Sequence, residues 1–362
     1  MRLTFIKKTM HISELILFLG VVLTPAFFVY SYVSAVVDNS RYVSAPLPDV
    51  QLLIHLIGWG MVEFVTVILW MLIRKIRKAK EVNTPTDQLG RFLGKKKWYF
   101  IPITVFLMFI TLLISLISKQ NKILFPSARG YIRDIKSFYN LKEISVGNSR
   151  LKGYYVDSGN DYLLVIYYGN AQSASQVIKY LYNNAQSIIQ EYDILVIDYP
   201  GYGKNDGTAN EKSIHEMTEA EYEYVSKMEY KAKYVMGYSI GTGAAVYSAY
   251  QHEWDGMVLI APFDNMINVI NSYLPIFRGP FKGLVTNTFP NDKYAATISE
   301  KSLIIASVSD EVINVARAEA LYDIFENKGE FIKMQDLSHA ELFSNESVWD
   351  EIAEFLKSLQ LP

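Results

Sequence analysis

Tyr234-Val235-Met236-Gly237-Tyr238-Ser239-Ile240-Gly241-Thr242-Gly243-Ala244-Ala245 decides the fold. Three apolar residues read as a short strand, Gly237 to Gly241 as a tight turn, and the small residues after it as the start of a closely packed helix. The turn has the pattern G-x-S-x-G in the strand–turn–helix context that gives the pattern meaning. Such a turn lifts a serine hydroxyl to its tip. Glycine on either side avoids clashes with the adjoining strand and helix, and the helix N-terminus supplies a positive dipole end. Ser239 is therefore a candidate nucleophile. A glycine-rich turn without chemistry is the alternative.

Outward from the elbow, continuous apolar runs recur at Leu163–Tyr167, Asp193–Ile197, Met257–Ile260 and Leu303–Ala306, followed by Glu330–Met334. Runs of this kind suit strands buried on both faces of a parallel sheet. Between them lie helix-length segments, Ala174–Gln190, Ile214–Lys227, Gly241–Gln251 and Ala316–Asn327. The alternation predicts an α/β domain with helices on both faces of a mostly parallel sheet. Glu143–Val146 and Leu151–Val156 read as a lead-in hairpin turning at Gly147-Asn148-Ser149. Ligand sites in such sheets form at the carboxyl ends of the strands.

A nucleophilic serine needs a base. The chain has five histidines. His11 and His55 fall in or beside long apolar runs, His215 opens a helix before the elbow, and His252 ends the helix that Ser239 opens. His339 alone follows the last strand. An acid that orients it should lie between the two, and Asp310, after Leu303–Ala306, fits best. Asp264, Glu311 and Asp336 are the alternatives. Backbone N–H groups of Asn170 and Ala171, after Leu163–Tyr167, could join that of Ile240 to receive an oxyanion. Tyr168, Tyr199, Phe263 and Asp264 are candidate pocket residues.

The Gly169-Asn170-Ala171 turn, Asp198-Tyr199-Pro200-Gly201-Tyr202-Gly203, the elbow, Ala261-Pro262-Phe263, Asp310-Glu311-Val312-Ile313 and Ser338-His339 keep one order and spacing from about Ile123 to the C-terminus. In these segments the chain resembles the membrane-anchored α/β-hydrolase-domain serine hydrolases, the group often described as serine-aminopeptidase-like. The resemblance implies an α/β-hydrolase fold with a Ser239–Asp310–His339 triad and no cofactor or metal. The family often has histidine where Tyr168 stands, and Gly-Asn where Gln172-Ser173 stand. The stretch 263–296 is long for a connection and predicts a small, mostly apolar cap, packed on the core or serving as a lid.

The first third has a different composition. Apolar runs at 15–37, 52–73 and 99–117 are each of the length that crosses a bilayer as a helix, so 1–121 is expected to be a bundle of about three transmembrane helices and 122–362 the hydrolase domain. Arg2, Lys7 and Lys8 precede the first run, only Arg41 lies in the first connection, and nine basic residues from Arg74 to Lys97 fill the second. Positive residues face the cytoplasm, so the N-terminus is expected inside and the large domain outside. Val33-Ser34-Ala35 resembles a signal-peptide cleavage site, but the run before it is long for one. His55, Trp59 and Glu63 share one helix face, read as a packing face within the bundle. The bilayer and a small-molecule, lipid or acyl-ester substrate are the expected partners. A net charge of −2 argues against nucleic acid. The absence of cysteine excludes disulfides, Cys-ligated zinc and a cysteine nucleophile. Oligomeric state is not legible.

Overall fold

A computed structural model describes residues 117–126, 140–147, 151–273 and 279–360, with scattered positions between 107 and 115. The expected spans 15–37 and 52–73, and most of 99–117, lie outside the described residues, as do His11, His55 and Glu63. No helix among the described residues is long and apolar enough to cross a membrane.

The chain from residue 120 onward belongs to one compact unit built on an eight-stranded sheet of order β1-β2-β4-β3-β5-β6-β7-β8. The strands are β1 (Leu141–Val146), β2 (Leu151–Val156), β3 (Tyr162–Tyr167), β4 (Asp193–Ile197), β5 (Ala232–Tyr238), β6 (Gly256–Ile260), β7 (Ser302–Ser307) and β8 (Glu330–Met334). β1 pairs antiparallel with β2, and β2 antiparallel with β4. Every pairing from β4 across to β8 is parallel. The apolar runs explain this layout. β4, β6 and β7 are buried along their whole length, which requires helices on both faces.

Those helices are α1 (Ala174–Asn184), α2 (Gln186–Glu191), α3 (Glu211–Val225), α4 (Gly241–Gln251), α5 (Met266–Tyr273), α6 (Asn291–Tyr294), α7 (Val315–Tyr322), α8 (His339–Ser344) and α9 (Glu346–Ser358). The segment expected to be one helix over 174–190 is broken at Ala185, whose φ of −131° and ψ of 56° are not helical. Asn184 Nδ2 donates back to the Tyr180 carbonyl, the kind of local side-chain bond that competes with helix continuation. α3 starts three residues before the expected Ile214, because Asn210 and Ser213 form a reciprocal capping box there. α9 buries Val348, Trp349, Ile352, Phe355 and Leu356, a helical stripe that closes one face of the sheet.

Between β6 and β7 the cap stretch forms α5, a 3-10 turn over Gly279–Leu284, and α6. Phe263, Met266, Val269 and Phe289 belong to the main core, while Ile267 and Val285 form a small apolar cluster of their own. Much of the stretch thus packs on the domain. Residues 274–278 lie outside the described residues.

Candidate active site

The elbow is built by two crossings too close for side chains. A Cβ at Gly241 would lie 2.1 Å from the Tyr167 carbonyl oxygen, and one at Gly237 2.6 Å from Thr242 Cα. Between them Ser239 takes a positive φ of 54°, an unfavourable conformation for a residue with a Cβ. Its N–H is held by the Ile260 carbonyl at 2.9 Å, and its own carbonyl accepts from the Thr242 N–H at 2.9 Å and hydroxyl at 2.6 Å. The turn is fixed from both sides, with the Ser239 hydroxyl at its tip.

The structure brings Ser239, His339 and Asp310 together. His339 Nε2 lies 2.9 Å from Ser239 Oγ, and Nδ1 lies 2.8 Å from Asp310 Oδ2. Asp310 Oδ1 accepts the N–H groups of Val312 at 2.8 Å and Ile313 at 2.7 Å. Its carboxylate is buried, at 1% side-chain exposure. A carboxylate offers only acceptors, so the proton between Asp310 and His339 sits on Nδ1 and the Nε2 lone pair faces the serine hydroxyl. That arrangement can take a proton from Oγ.

The backbone of His339 is clamped as well. Its N–H donates to Glu311 Oε2 at 3.0 Å, and its carbonyl accepts from Tyr238 Oη at 2.9 Å. The Tyr238 ring stacks on the imidazole with centroids 5.4 Å apart. Tyr273, at the end of α5, donates to the carbonyls of Glu311 and Val312, tying the cap to the acid loop. Neither Tyr238 nor Tyr273 is singled out by the sequence pattern. Glu311, an alternative acid by its position, holds the histidine loop instead.

Among the alternatives to Asp310, Asp264 accepts from Arg317 Nη1 at 3.0 Å, Asn268 Nδ2 at 2.8 Å and the Asn265 N–H at 2.9 Å. Asp336 is exposed. His215 is stacked flat on Tyr247 at 3.6 Å, and burial lowers its pKa to about 4. His252 pairs with Glu219 at the far end of α4.

Four candidate residues sit differently from their expected roles. The Ala171 N–H donates to Asn170 Oδ1 at 2.9 Å, so it is already occupied. Among the described residues the N–H groups of Asn170 and Ile240 have no acceptor. Tyr168 and Tyr199 are 0% and 1% exposed, which leaves them no surface to offer a ligand. The Tyr168 hydroxyl donates to Asp198 Oδ1 at 3.0 Å and accepts the Tyr199 N–H at 3.1 Å, while the Tyr199 hydroxyl donates to the Tyr168 carbonyl at 2.7 Å. They pin the loop after β3 to the loop after β4 from within. Burial raises the Asp198 pKa, and its Oδ1 accepts from both the Tyr168 hydroxyl and the Ala174 N–H, the latter at 2.7 Å. Phe263 is likewise 0% exposed and packs on Phe289.

No family model matches the chain. An uncharacterised protein of Mycobacterium tuberculosis is 26% identical over 168 residues, 45% of this chain and 59% of that protein. Alpha/beta hydrolase domain-containing protein 17B of Xenopus laevis is 26% identical over 186 residues, 50% of this chain and 61% of that protein. The chain thus spans about 60% of the length of these curated relatives. Among solved structures, an alpha-beta hydrolase from Vibrio vulnificus superposes with a TM-score of 0.53 at 17% identity, covering 66% of this chain and 92% of that one. An esterase of Pyrococcus furiosus gives a TM-score of 0.51 at 19% identity, covering 65% and 98%. Sheet order, elbow and backbone similarity agree that the chain from about residue 120 onward has the α/β-hydrolase fold.

Proposed function

We propose that the protein is a membrane-bound serine hydrolase that cleaves a carboxylic ester, of a lipid or other acyl compound, through an acyl-enzyme on Ser239. The observation that carries this is the unbroken hydrogen-bonded line from Ser239 Oγ through His339 to Asp310. Ser239 Oγ attacks the ester carbonyl carbon as its proton passes to His339 Nε2. The negative oxygen of the tetrahedral intermediate is received by the N–H groups of Ile240 and Asn170. The C–O bond to the alcohol breaks, and the imidazolium gives the alcohol its proton. Water, deprotonated by the same imidazole, then releases the acid and restores the serine.

The apolar cap and the apolar N-terminal runs favour a lipid or acyl ester. The second reading, a serine peptidase of aminopeptidase type, needs a carboxylate for the substrate ammonium, and Asp264 is the candidate pocket residue that could supply it. Its bonds to Arg317, Asn268 and Asn265 already engage it, which favours the ester. A catalytically inactive interaction module is the remaining alternative. The membrane reading rests on the sequence: the N-terminus inside, the spans near 15–37, 52–73 and 99–117, and the hydrolase domain outside.

The test compares p-nitrophenyl esters of increasing chain length with aminoacyl p-nitroanilides, for wild type and Ser239→Ala. Each buried methylene is worth up to about 0.8 kcal/mol, roughly fourfold in kcat/KM, so the ester series should climb steeply and vanish in Ser239→Ala. A flat series with efficient anilide cleavage contradicts the ester reading.

A further inference from the structure

Gln120–Phe125 begins three residues past the third apolar run, yet it is bonded into the hydrolase domain at two places. The first is the loop after β3. Asn170 Nδ2 donates to the Leu124 carbonyl at 2.8 Å. Asn170 Oδ1 accepts from the Tyr202 hydroxyl at 2.8 Å and from the Ala171 N–H at 2.9 Å. Leu124 closes a helical stretch, so its carbonyl is free of the helix ladder and available to an outside donor. Every polar atom of the Asn170 side chain is thereby in use, and the peptide that follows it is held with Ala171 at a positive φ of 57°.

The second place is the returning arm of the cap. The Thr286 N–H donates to Gln120 Oε1 at 2.8 Å, and Gln120 Nε2 reaches the Leu284 carbonyl at 3.4 Å. Asn287 Nδ2 donates to Asn121 Oδ1 at 2.6 Å. The Phe125 ring lies 6.2 Å from that of Phe289, and Leu124 and Phe125 are 4% and 5% exposed. The segment is seated by apolar burial and directed by side-chain amides.

We propose that Gln120–Phe125 is a strap that positions the oxyanion-binding loop. Through the Leu124 carbonyl it orients the Asn170 side chain, and that side chain fixes the backbone whose N–H faces the developing charge. Asn170 is then a positioning residue through its side chain as well as a donor through its backbone. The same strap anchors the cap, so cap and oxyanion loop share one support. The inference rests on the hydrolase reading.

An oxyanion donor matters most in the transition state, where removing one costs about 10²–10³-fold in kcat. A donor that is present but loosely held should cost less and should spare KM. Asn170→Asp keeps the oxygen that serves Tyr202 and Ala171 but sets a second oxygen against the Leu124 carbonyl. The full chain should show kcat for p-nitrophenyl acetate, normalised to active sites titrated with a fluorophosphonate, reduced at least about tenfold with KM within about twofold. A trifluoromethyl ketone, which mimics the tetrahedral intermediate, should bind more weakly by a similar factor. Phe125→Ala, which unseats the strap from Phe289, should give the same split and add little to Asn170→Asp. If Asn170→Asp does not fold, Tyr202→Phe, which removes one donor from Asn170 Oδ1, provides the same readout. Unchanged kcat per titrated site, or losses in the two variants that multiply, overturns the strap. Wild-type protein that neither hydrolyses the ester nor takes the label overturns the hydrolase reading itself, and the strap with it.

Discussion

Asp310→Asn replaces one carboxylate oxygen by an NH2 group with almost no change of shape, and the surroundings of Asp310 dictate which way the new side chain must turn. Oδ1 receives two backbone N–H groups, from Val312 at 2.8 Å and Ile313 at 2.7 Å. An asparagine there must present its carbonyl oxygen to those donors, since turning the NH2 toward them would leave buried donors facing a donor, at about 1–3 kcal/mol for each. The NH2 therefore takes the place of Oδ2, 2.8 Å from His339 Nδ1. The imidazole must then accept at Nδ1 and carry its proton on Nε2, which faces Ser239 Oγ at 2.9 Å. The base is blocked although its position is unchanged. An imidazole in the wrong tautomer lowers kcat by about 10⁴ in the serine protease triad, equivalent to about 5.5 kcal/mol of transition-state stabilisation. The expected outcome is a loss of that order in kcat for p-nitrophenyl acetate, with Tm within a few degrees of wild type. An Asp310→Asn variant that keeps more than about a tenth of wild-type kcat refutes the reasoning, as does a larger loss in Asp264→Asn.

Glu221 is fully buried on α3, with neither carboxylate oxygen within hydrogen-bonding geometry of a partner among the described residues. Burial raises its pKa from 4.5 to about 8. The folded state then holds a proton that the unfolded chain has lost between those values, so stability falls as pH rises from 4.5 to 8, by up to about 1.4 kcal/mol per pH unit. Urea unfolding of Glu221→Gln should lack this part of the slope, and a slope identical to wild type contradicts the assignment. For topology, a reporter fused at the C-terminus should read extracytoplasmic and one inserted between Lys80 and Arg91 cytoplasmic. The reverse pattern overturns the loop-charge argument.

The strands were legible because their apolar runs are continuous, and burial on both faces of β4, β6 and β7 is what such runs encode. Ser239 was legible from its glycines, and His339 and Asp310 from their order after it, since the fold returns each strand end to the same edge of the sheet. What escaped were bonds that join distant positions. The clamps on His339 come from Glu311, 28 residues away, and Tyr238, 101 residues away, and no local pattern reports them. Tyr168 and Tyr199 read as pocket residues because they adjoin the loops of the site, but chain position does not say which way a side chain turns. Asn170 and Ala171 carried the same ambiguity: a short amide that can bond its neighbour's N–H leaves one fewer donor for a ligand. In α9, by contrast, the helical spacing of Val348, Trp349, Ile352, Phe355 and Leu356 is a local pattern that needs no distant partner.

The central claim is that the Ser239 hydroxyl is activated as a nucleophile, and covalent labelling measures it directly. The full chain treated with a fluorophosphonate should acquire one adduct, mapped by peptide mass spectrometry to Ser239. The label should be absent in Ser239→Ala and strongly slowed in His339→Ala. An unlabelled wild-type protein, or labelling that persists in Ser239→Ala, contradicts the account.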